Sequence, residues 1–165
     1  MIRFGILLLL FVFTETSTAQ NSIDEALQKH NSGSVPYISV EQLKAKIVNN
    51  ESLVLLDTRA KAEYEVSHIK NAIRIGYENF DIKKVKQLDK NTEIVVYCSI
   101  GVRSEQIGER LKKMGFKNIQ NLYGGIFDWV NHGYPVFKNN QQTQNVHPYD
   151  KYWGKFLKRG NKVLK

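Results

Sequence analysis

Glu93-Ile94-Val95-Val96-Tyr97-Cys98-Ser99-Ile100-Gly101-Val102-Arg103-Ser104 is the stretch on which the fold turns. Ile94 to Cys98 is apolar, β-branched and short, with no polar alternation, so it reads as a strand buried on both faces. After Gly101 an amphipathic stretch over 103–113 reads as a helix, stopped by Gly115 as its left-handed cap residue. Cys98 therefore stands at the carboxyl end of a buried strand, where open parallel sheets bind their ligands.

The same grammar recurs on either side. Upstream, Leu53-Val54-Leu55-Leu56-Asp57 is a second buried strand that ends in the polar Asp57-Thr58-Arg59. A helix over 60–66, a short strand within 69–75 and a helix over 80–88 follow it. Ser22-Ile23-Asp24-Glu25 has capping-box spacing and opens a short helix, and Ser39-Val40-Glu41-Gln42 starts another. Downstream lie a strand over 119–122, a turn at Gly124-Gly125 and a short helix over 126–130, closed by Gly133 and Pro135. Strands alternating with helices predict an α/β domain over 35–137, an open parallel sheet with helices on both faces in three α/β/α layers. A helical lead-in over 20–34 precedes it. A chain of 165 residues, 42% of them hydrophobic, suffices for one such domain and not for two.

The two ends differ from this domain. Arg3 precedes the apolar run 4–13, and the polar, small-residue stretch Thr14-Glu15-Thr16-Ser17-Thr18-Ala19-Gln20 comes next. That order predicts a secretory signal peptide over 1–19, cleaved near Ala19, and a mature protein that is periplasmic or extracellular. Retention as an anchor is the alternative, although a span needs about 20 apolar residues. Loss of Arg3 and Glu15 together leaves the formal charge at +8. Over 138–165 an Asn- and Gln-rich stretch leads into alternating aromatic and basic residues, with seven Lys or Arg against one Asp. This reads as a polar linker and a basic, aromatic appendage, suited to contact with an anionic surface; no nucleic-acid partner is expected of an exported protein.

The chain has one cysteine, so an exported form has no intramolecular disulfide. Cys98 is then either a buried bystander or a retained reactive thiol. A short loop running into a helix lets main-chain N–H groups converge on one point and favour a thiolate. A helix N-terminus supplies about 0.3–1 kcal/mol, whereas lowering a thiol pKa by two units takes roughly 2.7 kcal/mol. Arg103 and the loop amides must add to it. A cation in a helix's first turn opposes the dipole, which suggests that Arg103 meets an anion.

Cys98-x-x-Gly101-x-Arg103-Ser104 resembles the active-site loop of the rhodanese-like sulfurtransferases. Leu56-Asp57-Thr58-Arg59, Glu63-Tyr64, His68-Ile69 and Ala72 resemble the family's N-terminal signature. Leu122-Tyr123-Gly124-Gly125, with Trp129, Gly133, Pro135 and Val136, resembles its C-terminal one. The resemblance implies that Cys98 takes sulfane sulfur from a small anionic donor, such as thiosulfate or a persulfide, and passes it to a thiol or cyanide. Ser99, Ile100, Gly101, Val102, Arg103 and Ser104 would hold the anionic sulfur and its donor. Asp57, Arg59 and His68 are assigned to supporting the site, and Trp129 to the core. Lys70 and Asn71 depart from the family's usual Pro and Gly, and Ser99 and Ile100 stand where a second basic residue would favour thiosulfate.

No cofactor is called for, and His30, His132 and His147 have no metal-ligand spacing. Two rival functions remain. A cysteine phosphatase would have five residues between Cys and Arg, whereas this loop has Ser99 to Val102. A non-catalytic binding or sensing module on the same scaffold would leave Cys98 unused.

Overall fold

The computed structural model describes residues 17–164. Along the chain come α1 (Ser17–His30), β1 (Tyr37–Ile38), α2 (Val40–Val48), β2 (Val54–Asp57), α3 (Lys61–Val66), β3 (Ile73–Arg74), β4 (Glu93–Tyr97), α4 (Val102–Lys113), β5 (Asn118–Leu122) and α5 (Gly125–Asn131). The strands form one all-parallel sheet in the order β1-β5-β4-β2-β3. The expected α/β architecture is realised, with the two apolar runs paired at its centre.

Successive side chains of a strand point to opposite faces, and the sheet accordingly separates two cores. Leu55, Val95 and Tyr97 face a cluster with Ile23 and Leu27 of α1, Leu43 of α2 and Phe127 of α5. Leu56, Ile94 and Val96 face the other way, against Ile107 and Leu111 of α4. The chain leaves β2 towards β3 on one side and leaves β4 towards β5 on the other. Their loops diverge, and such a switch point opens a crevice at the carboxyl ends of the strands.

Three expectations need correction. α1 already includes Ser17, the first described residue, so Ser22-Ile23-Asp24-Glu25 lies within it instead of opening it; the preceding Thr18-Ala19-Gln20 contains no helix breaker. The helix expected over 80–88 is a single 3₁₀ turn, Ile82–Lys84. Asp81 accepts a hydrogen bond from the Lys83 amide at 3.2 Å, a local bond that competes with a longer helix. Of the leader read over 1–19, residues 1–16 lie outside those described and 17–19 fall in α1; no described helix is long and apolar enough to cross a membrane.

The third correction concerns residues 138–165, which are packed into the fold. Val136–Lys138 (β6) and Gln141–Thr143 (β7) pair as a hairpin through Asn139 and Asn140, both at positive φ. Two such residues make the turn whose twist suits a hairpin, and asparagine tolerates that region. Phe137 also exchanges two backbone hydrogen bonds with His68. Asn145–Val146 (β8) then pairs with Asn161–Lys162 (β9), and a 3₁₀ turn over Trp153–Phe156 lies between them. Val146, Phe156 and Leu157 are buried in the α1–α2–α5 core. Asn131 clamps the segment, donating to the Phe156 carbonyl at 2.9 Å and accepting from the Lys158 amide at 2.7 Å. The aromatic residues of the basic stretch are thus anchors as well as surface.

Candidate active site

The loop from Cys98 to Gly101 owes its shape to where its carbonyls go. The Cys98 carbonyl accepts from the Ile126 amide at 2.9 Å and the Ser99 carbonyl from the Phe127 amide at 3.1 Å, both at the start of α5. The Gly101 carbonyl accepts from Asn121 Nδ2 at 2.8 Å and Asn31 Nδ2 at 3.1 Å. With these oxygens held outward, the intervening N–H groups can turn inward. The Gly101 amide donates to Cys98 Sγ at 3.1 Å. Gly101 takes φ 111°, and Gly125 takes φ 56° where an added Cβ would lie 2.7 Å from the Ser99 carbonyl oxygen. Both positions therefore demand glycine.

Burial pushes the Cys98 thiol up, but the Arg103 charge, the Ser104 hydroxyl and the Ser104 and Gly101 amides more than offset this, and its pKa falls below the ordinary 9.0. The Ser104 hydroxyl also lies 2.7 Å from Asn121 Oδ1, which holds it beside the sulfur. Cys98 is almost fully buried as a residue, yet it lines a cavity of about 190 Å³ together with Ser99, Ile100, Val102, Arg103, Tyr149 and Trp153.

The arrangement of a thiol, converging amides and an arginine falls within a stretch, residues 39–132, that matches the rhodanese-like domain family. The chain belongs to that family. A sulfurtransferase of Allochromatium vinosum is 31% identical over 99 residues, spanning 60% of this chain and 92% of that one. A Bacillus subtilis protein provisionally named sulfur carrier protein YrkF is 39% identical over 100 residues, 61% of this chain and 54% of its own length. The chain thus spans about half of that relative. The tRNA uridine(34) hydroxylase of Buchnera aphidicola is 37% identical over 109 residues, and only 33% of it is covered. Among solved structures, the rhodanese-like domain of Anabaena Alr3790 superposes with a TM-score of 0.58 at 26% identity, covering 62% of this chain and 79% of that one. A thiosulfate sulfurtransferase from Pseudomonas aeruginosa gives 0.60 at 18% identity, over 74% and 23% of the chains, a likeness of fold.

In this rhodanese-like domain Arg103 is already paired. Its Nη1 and Nη2 reach the two carboxylate oxygens of Glu63, each at 2.8 Å, and Nη2 also donates to Ser99 Oγ at 3.0 Å. Burial opposes both charges; the pair restores them, raising the arginine's pKa and lowering the glutamate's. Glu63 stood in the sequence as part of the N-terminal signature and of a short helix, but its pairing with Arg103 was not legible, because six residues do not reveal which face meets the loop.

Asp57 and Arg59 sit at the end of β2, fully buried, in a two-pronged ion pair: Nη2 to Oδ2 is 2.7 Å and Nε to Oδ1 is 3.0 Å. Arg59 also donates to the Ser67 carbonyl at 2.7 Å, which ties the β2 loop to the end of α3. His68 stacks on Tyr64 with ring centroids 3.9 Å apart, and its Nδ1 lies 3.1 Å from the Tyr64 carbonyl. These three are braces of the surrounding loops, and Cys98, Ser99, Ile100, Val102 and Arg103 are the residues brought to the cavity. Trp129 is core, with its indole N–H on the Pro135 carbonyl at 3.0 Å. Tyr149 and Trp153 had no signal of this role, since their approach depends on the packing of the C-terminal segment.

Proposed function

We propose that this chain is a sulfurtransferase that carries sulfane sulfur as a persulfide on Cys98. The observation that carries the reading is the Gly101 amide on Cys98 Sγ, at the floor of a cavity where a second sulfur would sit. With thiosulfate, the Cys98 thiolate bonds to the outer sulfur, the S–S bond breaks and its electron pair leaves with sulfite. The terminal sulfur of the persulfide anion then occupies the amide cradle. A thiol or cyanide attacks that sulfur, forming a new persulfide or thiocyanate and returning the thiolate. The lone cysteine fits a carrier that needs no resolving partner. Export through a leader at 1–19, and action in the periplasm or outside the cell, belong to the same proposal, as does contact of the basic surface with anionic groups.

The test is the intact mass of the protein after incubation with thiosulfate, a polysulfide or an organic persulfide. One sulfur atom is expected on Cys98, lost on adding cyanide with thiocyanate appearing in equal amount. No gain from any donor would leave the domain as a non-catalytic binding or sensing module.

A further inference from the structure

The wall of the cavity opposite the loop is built by the C-terminal segment, from residues beyond the 39–132 that match the family. Tyr149 lies with its ring 4.5 Å from the Arg103 guanidinium carbon. It is held at φ 65°, a costly conformation for a bulky residue, with its amide donating to His147 Nδ1 at 3.0 Å. Burial lowers the His147 pKa, which keeps that nitrogen free to accept. Trp153 is fixed by edge-on contacts with Tyr152 and His30, at centroid distances of 5.1 and 6.1 Å, and by Phe156 at 5.9 Å. With Ile100 and Val102, these rings give the Cys98 cavity an apolar side. Its cation, Arg103, already holds the Glu63 carboxylate through both terminal nitrogens, so a small dianion entering the cavity meets an ion pair instead of an unpaired cation.

Resting on the sulfurtransferase reading, we propose that Tyr149 and Trp153 form a subsite for an apolar organic group on the sulfur donor. The protein then prefers organic thiosulfonates and persulfides to inorganic thiosulfate. For a thiosulfonate anion, the Cys98 thiolate bonds to the outer sulfur, the bond from that sulfur to the sulfonyl sulfur breaks, and its electron pair leaves with the sulfinate. Two negative charges enter and two remain, one on the persulfide and one on the sulfinate, so no outside oxidant, reductant or proton is needed. Ring contacts of this kind are worth about threefold to tenfold each in selectivity.

The full chain is compared in persulfide formation from benzenethiosulfonate, methanethiosulfonate anion and thiosulfate, measured as the second-order rate on Cys98. The expected order is benzene over methane by about tenfold, with thiosulfate slowest. Tyr149→Ala and Trp153→Ala should each lower the benzene-to-methane ratio severalfold, and Tyr149→Phe should retain it; thermal unfolding checks that each variant is folded. A ratio near one in the native chain, or one unmoved in folded alanine variants, overturns the subsite while leaving the sulfurtransferase reading standing. Loading from none of the three donors overturns the subsite, and the sulfurtransferase reading falls with it if polysulfide and an organic persulfide also leave Cys98 unloaded.

Discussion

Cys98→Ser is expected to reduce sulfur transfer to the uncatalysed rate while leaving the domain folded. The hydroxyl is nearly the size of the thiol and can accept the same Gly101 amide, so the loop loses no donor's partner. Serine is not ionised near neutral pH and has no adjacent base assigned to activate it. The native chain holds a single cysteine, so no second thiol can substitute. Thermal unfolding should shift by only a few degrees, and thiocyanate formation should vanish with every donor. Transfer above the uncatalysed rate in this variant would remove Cys98 from the chemistry.

Truncation after Val136 is expected to cost most of the stability of the domain. Residues 137–165 supply Val146, Phe156 and Leu157 to the α1–α2–α5 core. Burial of each such side chain contributes about 1.5–3 kcal/mol. Losing three removes about 4.5–9 kcal/mol from a total that is typically about 5–15 kcal/mol. The truncated chain should show a weak or absent cooperative melt, and Asn131 would lose the Phe156 and Lys158 partners that it clamps. A melt within a few degrees of the full chain would show that the segment is dispensable for folding.

The central sheet was legible because β2 and β4 are unbroken apolar runs, which declare burial on both faces without reference to anything distant. The Cys98 loop was legible for the same reason: a strand end, a glycine and a helix start are local features. β1 was not, since two residues carry no period. The C-terminal segment defeated the sequence in another way. Its anchors are Val146 and, ten positions on, the adjacent pair Phe156 and Leu157, which show no period, and their burial depends on a surface made by α1 and α5 more than a hundred residues away in part. The Arg103–Glu63 pair spans 40 positions and joins two helices. The loop's residue order placed a cation by the thiol, but the carboxylate that pairs with it came only with the fold.

Converging main-chain amides, aided by Arg103, stabilise negative charge on Cys98, and the pH dependence of thiol reactivity tests this most directly. Alkylation of Cys98 by iodoacetamide, followed by mass, rises with pH as the thiolate forms. A pKa lowered by folding puts the midpoint below the ordinary 9.0. By linkage, the stability gained from the thiolate is full above 9.0 and is lost as pH falls through the folded value. The account predicts a midpoint below 9.0 in the native chain, moved up in Arg103→Gln, which removes the charge that lowers it most. A native midpoint at or above 9.0 would mean that burial dominates, and would contradict the claim that this loop is built to hold an anionic sulfur.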